Sequence, residues 1–132
     1  MDLARARRPA GRQLARYEPA AVMTKALLRA ARLLAVPQGV LARIVGVSAA
    51  TMSRIASGQR LVAPETKEGE LALLFLRLFR SLDALLGGNQ AQARAWLGSP
   101  NGHLGGRPID LVQTSRGLVH VVDHLDALRG QG

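Results

Sequence analysis

The sequence has no cysteine, and only 3% of its residues are aromatic. Without cysteine there is no disulfide framework, no thiolate nucleophile and no cysteine-based zinc site. With so few aromatic residues the core has to be packed by leucine, valine, isoleucine and alanine, a composition that favours helices. The longest apolar run, residues 71–79, is interrupted by Arg77 and falls far short of the roughly 20 residues of a membrane span. No secretory leader is evident either, so we expect a cytoplasmic protein without a membrane partner.

The excess of positive over negative charge is confined to the first half of the chain. Residues 1–60 contain 11 Lys and Arg against two acids, whereas residues 61–132 contain seven of each, so the net charge of +9 lies entirely in the first half. Such an imbalance indicates a polyanionic partner, either nucleic acid or an anionic membrane surface. The arginines of residues 1–17 lie among Ala, Gly and Pro, which predicts a flexible basic arm that binds such a partner or only improves solubility.

Apolar residues spaced three and four apart predict an all-α fold, with neither a strand pattern nor an internal repeat. The spacing, together with Gly, Pro and capping residues, predicts helices over about 19–35, 37–45, 48–58, 70–86, 89–97, 110–114 and 118–129. In the first and last of these helices, the residues expected to face the core are Val22, Ala26, Leu27, Ala30 and Leu34, then Val119, Val122, Leu125 and either Val121 or Leu128.

The helix predicted over residues 70–86 is the most apolar of the chain. At about 100° per residue, its apolar face consists of Leu71, Leu74, Phe75, Leu78, Leu82 and Leu85. Leu76 and Phe79 widen this stripe, and Ser81 falls on the polar side. The stripe covers roughly half of the circumference, which is more than one packing contact needs. Either the helix packs on two sides within one chain, or part of the stripe forms a homodimer interface.

Residues 38–58 carry the most informative motif, Gln38-x3-Ala42-x3-Gly46-Val47-Ser48-x4-Ser53-Arg54-Ile55-x2-Gly58. In a helix-turn-helix, a small residue is needed where the helices cross, a glycine gives the turn its positive φ, and a serine caps the second helix. Val47, Met52 and Ile55 are spaced to pack against the first helix. The motif resembles the Xre-type helix-turn-helix of phage-repressor-like regulators, whose second helix enters the major groove. An ordinary helical hairpin is the alternative.

The resemblance implies operator DNA as a partner, and the outward face of the second helix as the reading surface. Arg54 is expected to contact a guanine or a phosphate, and Ser53 to donate or accept a hydrogen bond. Ala49 and Ala50 offer only methyl contacts, so we expect modest sequence discrimination or help from DNA shape. With phosphate contacts included, the candidate DNA-binding residues are Gln38, Arg43, Ser48, Ala49, Ala50, Thr51, Ser53, Arg54 and Arg60.

A second signature lies in residues 96–111, Trp96-Leu97-Gly98-Ser99-Pro100-Asn101-x2-Leu104-Gly105-Gly106-Arg107-Pro108-Ile109-Asp110-Leu111. With Gly117-Leu118-Val119 and Leu125-x2-Leu128, it resembles the C-terminal region of the Xre/MbcA/ParS antitoxins, over about residues 66–130. For the loop we expect structural roles: Trp96 as an anchor on the core, Asn101 bonded to loop backbone, Gly105 and Gly106 at glycine-specific φ values, and Asp110 as a helix cap. The remaining loop residues assigned a structural role are Pro100, Leu104 and Pro108.

The antitoxin resemblance implies a RES-domain toxin, an enzyme that acts on NAD, as the partner. It implies that the last helix and the tail obstruct access of NAD to the toxin's active site. The candidate toxin-binding residues are Arg116, His120, Asp123, His124 and Arg129. The expected division of the chain is a basic arm (1–17), a helix-turn-helix region (18–65) and a helical toxin-binding and dimerisation region (66–132).

Two other functions compete with the antitoxin. A stand-alone transcriptional regulator would share the DNA-binding half and use residues 66–132 to dimerise or to sense a ligand. An enzyme is the more distant alternative: His120 and His124 have metal-ligand spacing, and Gly105-Gly106-Arg107 is glycine-rich. No matching carboxylate or cysteine ligands accompany the histidines, and the glycines lack a preceding strand and the Lys-Ser/Thr pair of a phosphate loop. We therefore expect neither catalysis nor a metal or other cofactor.

Overall fold

The computed structural model describes residues 18–131, with side chains through Gly130, so the predicted basic arm lies outside the described residues. Within that range the chain forms seven helices and no strand, and the predicted all-α fold is confirmed. One isolated bridge joins Asn101 and Gly106. The helices are α1 (Pro19–Leu33), α2 (Gln38–Val45), α3 (Ala49–Ala56), α4 (Lys67–Leu85), α5 (Gln90–Gly98), α6 (Pro108–Leu111) and α7 (Ser115–Gln131).

Helix α4 packs on two sides, with α1 and α2 against one side and α7 against the other. Its fully buried apolar side chains include Ala72, Phe75 and Leu78, and these belong to one hydrophobic core that extends from α1 to α7. The first explanation of the wide apolar stripe is therefore correct for most of it. The stripe's edges remain partly accessible, since Leu76 and Phe79 are half-buried. Leu85 was predicted on the apolar face but is exposed near the end of the helix, and Leu73, which lies outside the predicted stripe, is also exposed.

In three places the face that turns to the core differs from the predicted one. Val22 is 53% exposed, and Met23 and Thr24 are buried in its place. Thr24 is tolerated there because its hydroxyl donates to the Ala20 carbonyl (2.7 Å) and accepts from the Val62 amide (2.8 Å). This pairing satisfies both buried polar groups, while Leu27, Ala30 and Leu34 are buried as predicted.

Ser81 was predicted on the polar side of α4 but is fully buried. Its hydroxyl donates to Asp126 at 3.5 Å and accepts from Arg129 Nη1 at 3.3 Å, so a polar pair on α7 accommodates it. Val119 was predicted to face the core and is 43% exposed, because α7 packs through Leu118, Val121, Val122 and Leu125 instead. Leu128 is also exposed, which decides in favour of Val121.

Several helix boundaries follow from caps that the pattern did not reveal. Helix α4 begins three residues before the predicted start because Thr66 Oγ1 accepts from the Gly69 amide at 3.1 Å. Helix α7 begins at Ser115, where Thr114 Oγ1 accepts from the Gly117 amide at 3.1 Å. Ser48 and Asn89 cap α3 and α5 as predicted. Among residues 18–131 no single helix has the length and hydropathy of a membrane span; only the bent pair α2 and α3 passes that test jointly.

Candidate functional sites

Helices α2 and α3 form a helix-turn-helix. Their axes differ by 109°, within the range of about 90–120° for this motif. Gly46 ends α2 with φ 75°, a left-handed conformation that glycine adopts without strain. Leu71 of α4 packs against the turn, 3.3 Å from where a side chain on Gly46 would begin. Ser48 then caps α3 by accepting from the Thr51 amide at 3.1 Å, so turn and cap confirm the predicted roles of both residues.

The helix-turn-helix is fixed in the core by its inner residues. Ala42, Met52 and Ile55 are buried, and Val47 packs half-buried against the core. The residues of α3 that were predicted to point outward are exposed, namely Ala49, Ala50, Ser53, Arg54 and Ser57. In residues 18–131 the guanidinium of Arg54 makes no ion pair. The backbone carbonyl of Arg54 accepts hydrogen bonds from the amides of Gln59 (2.9 Å) and Arg60 (3.2 Å), which follow the end of α3.

The remaining DNA-binding candidates do not share one environment. Gln38 and Ser48 are exposed at the N-terminal ends of α2 and α3, and Thr51 is half-buried beside Ser48. Arg60 forms an ion pair with Glu68 at 2.9 Å. Arg43 is exposed, but its Nε donates to Gln113 Oε1 at 2.6 Å. The structure thus leaves Gln38 exposed at the start of α2 and gives Arg43 and Arg60 partners within the chain.

The loop between α5 and α6 is organised around Asn101. Its Oδ1 accepts from the amides of His103 (3.0 Å) and Leu104 (3.2 Å), as predicted, and its own amide donates to the Gly106 carbonyl at 3.0 Å. Gly105 has φ 82° and accounts for the turn, whereas Gly106 has no positive φ, so its predicted conformational role is wrong. Leu104 is buried against the core. The hydrogen bonds that Asn101 makes to residues before and after Leu104 stabilise the loop around it.

One of the residues after the loop differs from expectation. Pro108 is buried at the first position of α6, where a missing amide costs nothing. Asp110 does not cap this helix; it lies within the first turn and accepts two hydrogen bonds from Arg107, at 2.9 and 3.0 Å. This bidentate bond, strengthened by the attraction of opposite charges, raises the pKa of Arg107 above its usual value. Arg107 rather than Asp110 is the residue at the cap position.

Trp96 packs half-buried against the core, as predicted for an anchor, and its ring also belongs to a stack of three rings. The ring of His124 lies 6.5 Å from that of Trp96, and the ring of His103 lies 6.1 Å from that of His124. These three side chains, with Asn101 and Leu128, line a surface groove of about 510 Å³ beside α7. Pro100 is exposed and lines another groove, of about 320 Å³, on the other side of Trp96.

The five toxin-binding candidates divide between three parts of the α7 surface. Arg116, His120 and Asp123 are exposed on its outer face. His124 lies in the ring stack. Arg129 is directed toward α4, where it donates to Ser81. Arg116 and His120 line a further groove of about 450 Å³, whose opposite wall is formed by Asp110, Leu111 and Thr114 of the α6–α7 junction.

In residues 18–131 no group of three His, Asp or Glu side chains lies close enough to hold a metal ion. The stacked rings of His103 and His124 face each other.

Two residues with notable contacts were not predicted from the sequence, Gln113 and His103. Gln113 reaches Arg43 across 70 positions of sequence, and nothing in the local pattern signals it. His103 joins the ring stack because Asn101 turns the loop, and the Asn-x-His spacing is only a weak signal of that.

The comparisons with known families agree with both sequence resemblances. Residues 13–77 match the family model described as the antitoxin Xre-like helix-turn-helix domain. Residues 81–130 match the one described as the antitoxin Xre/MbcA/ParS C-terminal toxin-binding domain. Neither family is enzymatic, and the second match favours an antitoxin over a stand-alone regulator. No curated protein matches the chain.

Proposed function

Because the chain belongs to the Xre/MbcA/ParS-type antitoxins, we propose that its partner is a RES-domain toxin whose NAD site it obstructs. Its place as a DNA-binding antitoxin of a toxin–antitoxin pair rests on the two family matches. The finer proposal concerns which toxin it binds and how. The observation that carries it is the toxin-binding match over residues 81–130, on the part of the chain that ends in α7.

The chemistry of the α7 surface supports a protein partner rather than a nucleic acid. Residues 61–132 have no net charge, so this half attracts phosphates weakly. The outer face of α7 combines the exposed apolar side chain of Val119 with the polar Arg116, His120 and Asp123. The exposed Leu128 adds a second apolar side chain at the groove of the ring stack. Mixed apolar and polar surfaces of this kind are typical of protein interfaces. In the proposed mechanism α7 packs on the toxin, and the segment past Leu128 covers the NAD pocket.

The helix-turn-helix supplies the second activity, which we propose to be autoregulation at the operator in the cytoplasm. The α3 face formed by Ser53 and Arg54 enters the major groove, and Gln38 at the start of α2 contacts a phosphate. The basic excess of the first half favours DNA over other partners. On this proposal residues 18–65 bind DNA and residues 66–132 bind the toxin.

We further propose a homodimer, because one helix-turn-helix reads only a half-site and gains affinity by pairing. The surface best suited to a second copy lies between α1 and α4. There Val22 is 53% exposed and Leu73 is 51% exposed, and with the half-buried Leu76 they border an apolar groove of about 280 Å³. Exposed apolar residues on two adjacent helices are disfavoured in an isolated monomer.

A truncation after Asp126 tests toxin neutralisation. Leu125 is the last buried apolar side chain of α7, so the shortened chain keeps the described core, together with the Arg77–Asp126 ion pair. We expect folding and operator binding to persist, while co-expressed toxin depletes NAD and arrests growth. Full-length Ser81→Ala is the matched control, because it removes the same bond between Ser81 and Arg129 while the tail and all five toxin-binding candidates stay in place, and it should still protect. Full protection by the truncated chain would show that the tail is not the obstructing element.

A further inference from the structure

The side chain of Gln113, between α6 and α7, contacts the helix-turn-helix directly. Its Oε1 accepts from Arg43 Nε at 2.6 Å, and its Nε2 donates to the Ile109 carbonyl at 3.1 Å. Only one orientation of the side-chain amide satisfies both bonds. A flipped amide would place its NH2 group against the Arg43 Nε–H and its oxygen against the Ile109 carbonyl oxygen. Gln113 is half-buried. The contact therefore joins two positioned groups, one from each half of the chain.

Arg43 lies on the exposed side of α2. The buried side of α2 is formed by Leu41, Ala42, Ile44 and Val45, and Arg43 lies across the helix from Leu41 at about 100° per residue. Its Nε is occupied by Gln113, whereas in residues 18–131 its guanidinium makes no ion pair. Any displacement of Gln113 therefore changes the surroundings of α2, the helix that supports α3.

The lining of the groove of about 450 Å³ described above includes Thr114, the residue that follows Gln113 in the sequence. Leu111 and Thr114 line one wall, and Arg116 and His120 line the other. The two walls are in backbone contact at Gly117, where an added Cβ would overlap the Leu111 carbonyl oxygen and lie 2.7 Å from its carbonyl carbon. Since these backbones have no space between them, a partner that shifts the start of α7 also shifts the segment that holds Gln113.

We infer that a toxin seated in this groove changes operator affinity through the Gln113–Arg43 bond. This inference rests on the proposed function, since it takes the α7 surface as the toxin site. Gln113 is a positioning residue here: it contacts neither DNA nor toxin and acts through Arg43. Coupling of this kind is reciprocal, so operator DNA changes toxin affinity by the same factor. For the wild-type chain we expect a factor of at least about fivefold, the lower end of typical coupling between sites.

The experiment compares operator affinity without and with saturating toxin. The probes are a fluorescent DNA fragment from upstream of the protein's own gene and a catalytically inactive RES toxin encoded beside it. The measured quantity is the ratio of the two dissociation constants, which cancels any change that a substitution makes in operator affinity itself. We expect Gln113→Met, similar in length but without hydrogen-bonding groups, to bring the ratio to about one. Gln113→Glu keeps an acceptor for Arg43 but loses the donor to the Ile109 carbonyl, so it should retain more of the ratio than Gln113→Met does.

Two controls make the result specific. Gln90→Met replaces an exposed glutamine at the start of α5 and should leave the wild-type ratio unchanged. Arg43→Met and the Arg43→Met, Gln113→Met double variant should lose no more coupling than Gln113→Met alone, because all three remove the same bond. In NMR spectra, the Arg43 Nε–Hε signal should shift when toxin is added to the wild-type chain and not when it is added to Gln113→Met.

The possible failures are distinguishable. If toxin and operator both bind but the wild-type ratio is one, or if Gln113→Met keeps the wild-type ratio, this inference is wrong and the proposed function stands. If the full-length chain binds no RES toxin, the proposed function is wrong and the inference falls with it.

Discussion

Replacing Gly117 with alanine should destabilise the protein, although alanine is the better helix former. A Cβ at this position would lie 2.7 Å from the Leu111 carbonyl carbon and 3.0 Å from Thr114 Oγ1, whereas carbon atoms pack at about 3.5–4.0 Å. The same Cβ would overlap the Leu111 carbonyl oxygen, so the α6–α7 junction would have to open by more than about 1 Å. Overpacking of this kind costs about 1–3 kcal/mol, and weakening the Thr114 cap adds about 1 kcal/mol. The higher helix propensity of alanine returns only about 0.5–1 kcal/mol.

The net expectation is a loss of about 1–3 kcal/mol in the free energy of unfolding, measured by urea denaturation followed by circular dichroism. Gly130→Ala is the matched control on the same helix, because nothing lies within 4 Å of a Cβ there. It should be neutral or stabilise by about 0.5 kcal/mol. A Gly117→Ala variant that is as stable as Gly130→Ala would refute the close approach of α6 and α7.

Three further predictions concern single side chains. Arg54→Ala should weaken specific operator binding by about 1–3 kcal/mol if Arg54 reads a guanine, as measured by mobility shift over a range of salt concentrations; equal losses on unrelated DNA would instead indicate a phosphate contact. Leu73→Glu should yield folded monomer in analytical ultracentrifugation, whereas Val119→Glu, a similarly exposed site on α7, should leave the dimer intact; a wild-type monomer would contradict the dimer proposal. Thr24→Val removes the acceptor of the buried Val62 amide and should cost about 1–3 kcal/mol in thermal or urea unfolding; an unchanged stability would mean that water replaces the hydroxyl.

Local patterns predicted what depends on neighbouring residues. The turn at Gly46, the cap at Ser48 and the outward face of α3 all follow from interactions within a few positions, and the structure has them as expected. The same is true of Asn101, whose side chain bonds to amides two and three residues ahead.

Contacts between distant residues were not predictable in this way. Thr24 is buried because an amide 38 positions away needs an acceptor, and Ser81 is buried because Asp126 and Arg129 approach it from another helix. A periodicity argument assigns both residues to the surface, since it weighs their polarity without their partners. The bond between Arg43 and Gln113 was not predictable for the same reason, because the two residues are 70 positions apart and only the fold brings them together.

The position of α4 limits where segments of the chain can be exchanged between related proteins by recombination. A chain cut at residue 65 separates the helix-turn-helix from a helix whose one side packs on α1 and α2 and whose other side packs on α7. A chimaera that joins the first 65 residues to the remainder of a relative would therefore place a foreign surface beneath Leu27 and Ile44, which are fully buried. A chimaera joined within residues 86–89, after α4, would instead place a foreign α7 against the α4 of this chain. Recombination at either point has to replace one packed face of α4, so partner specificity and operator specificity are expected to diverge through surface substitutions on α3 and α7 rather than through exchange of segments.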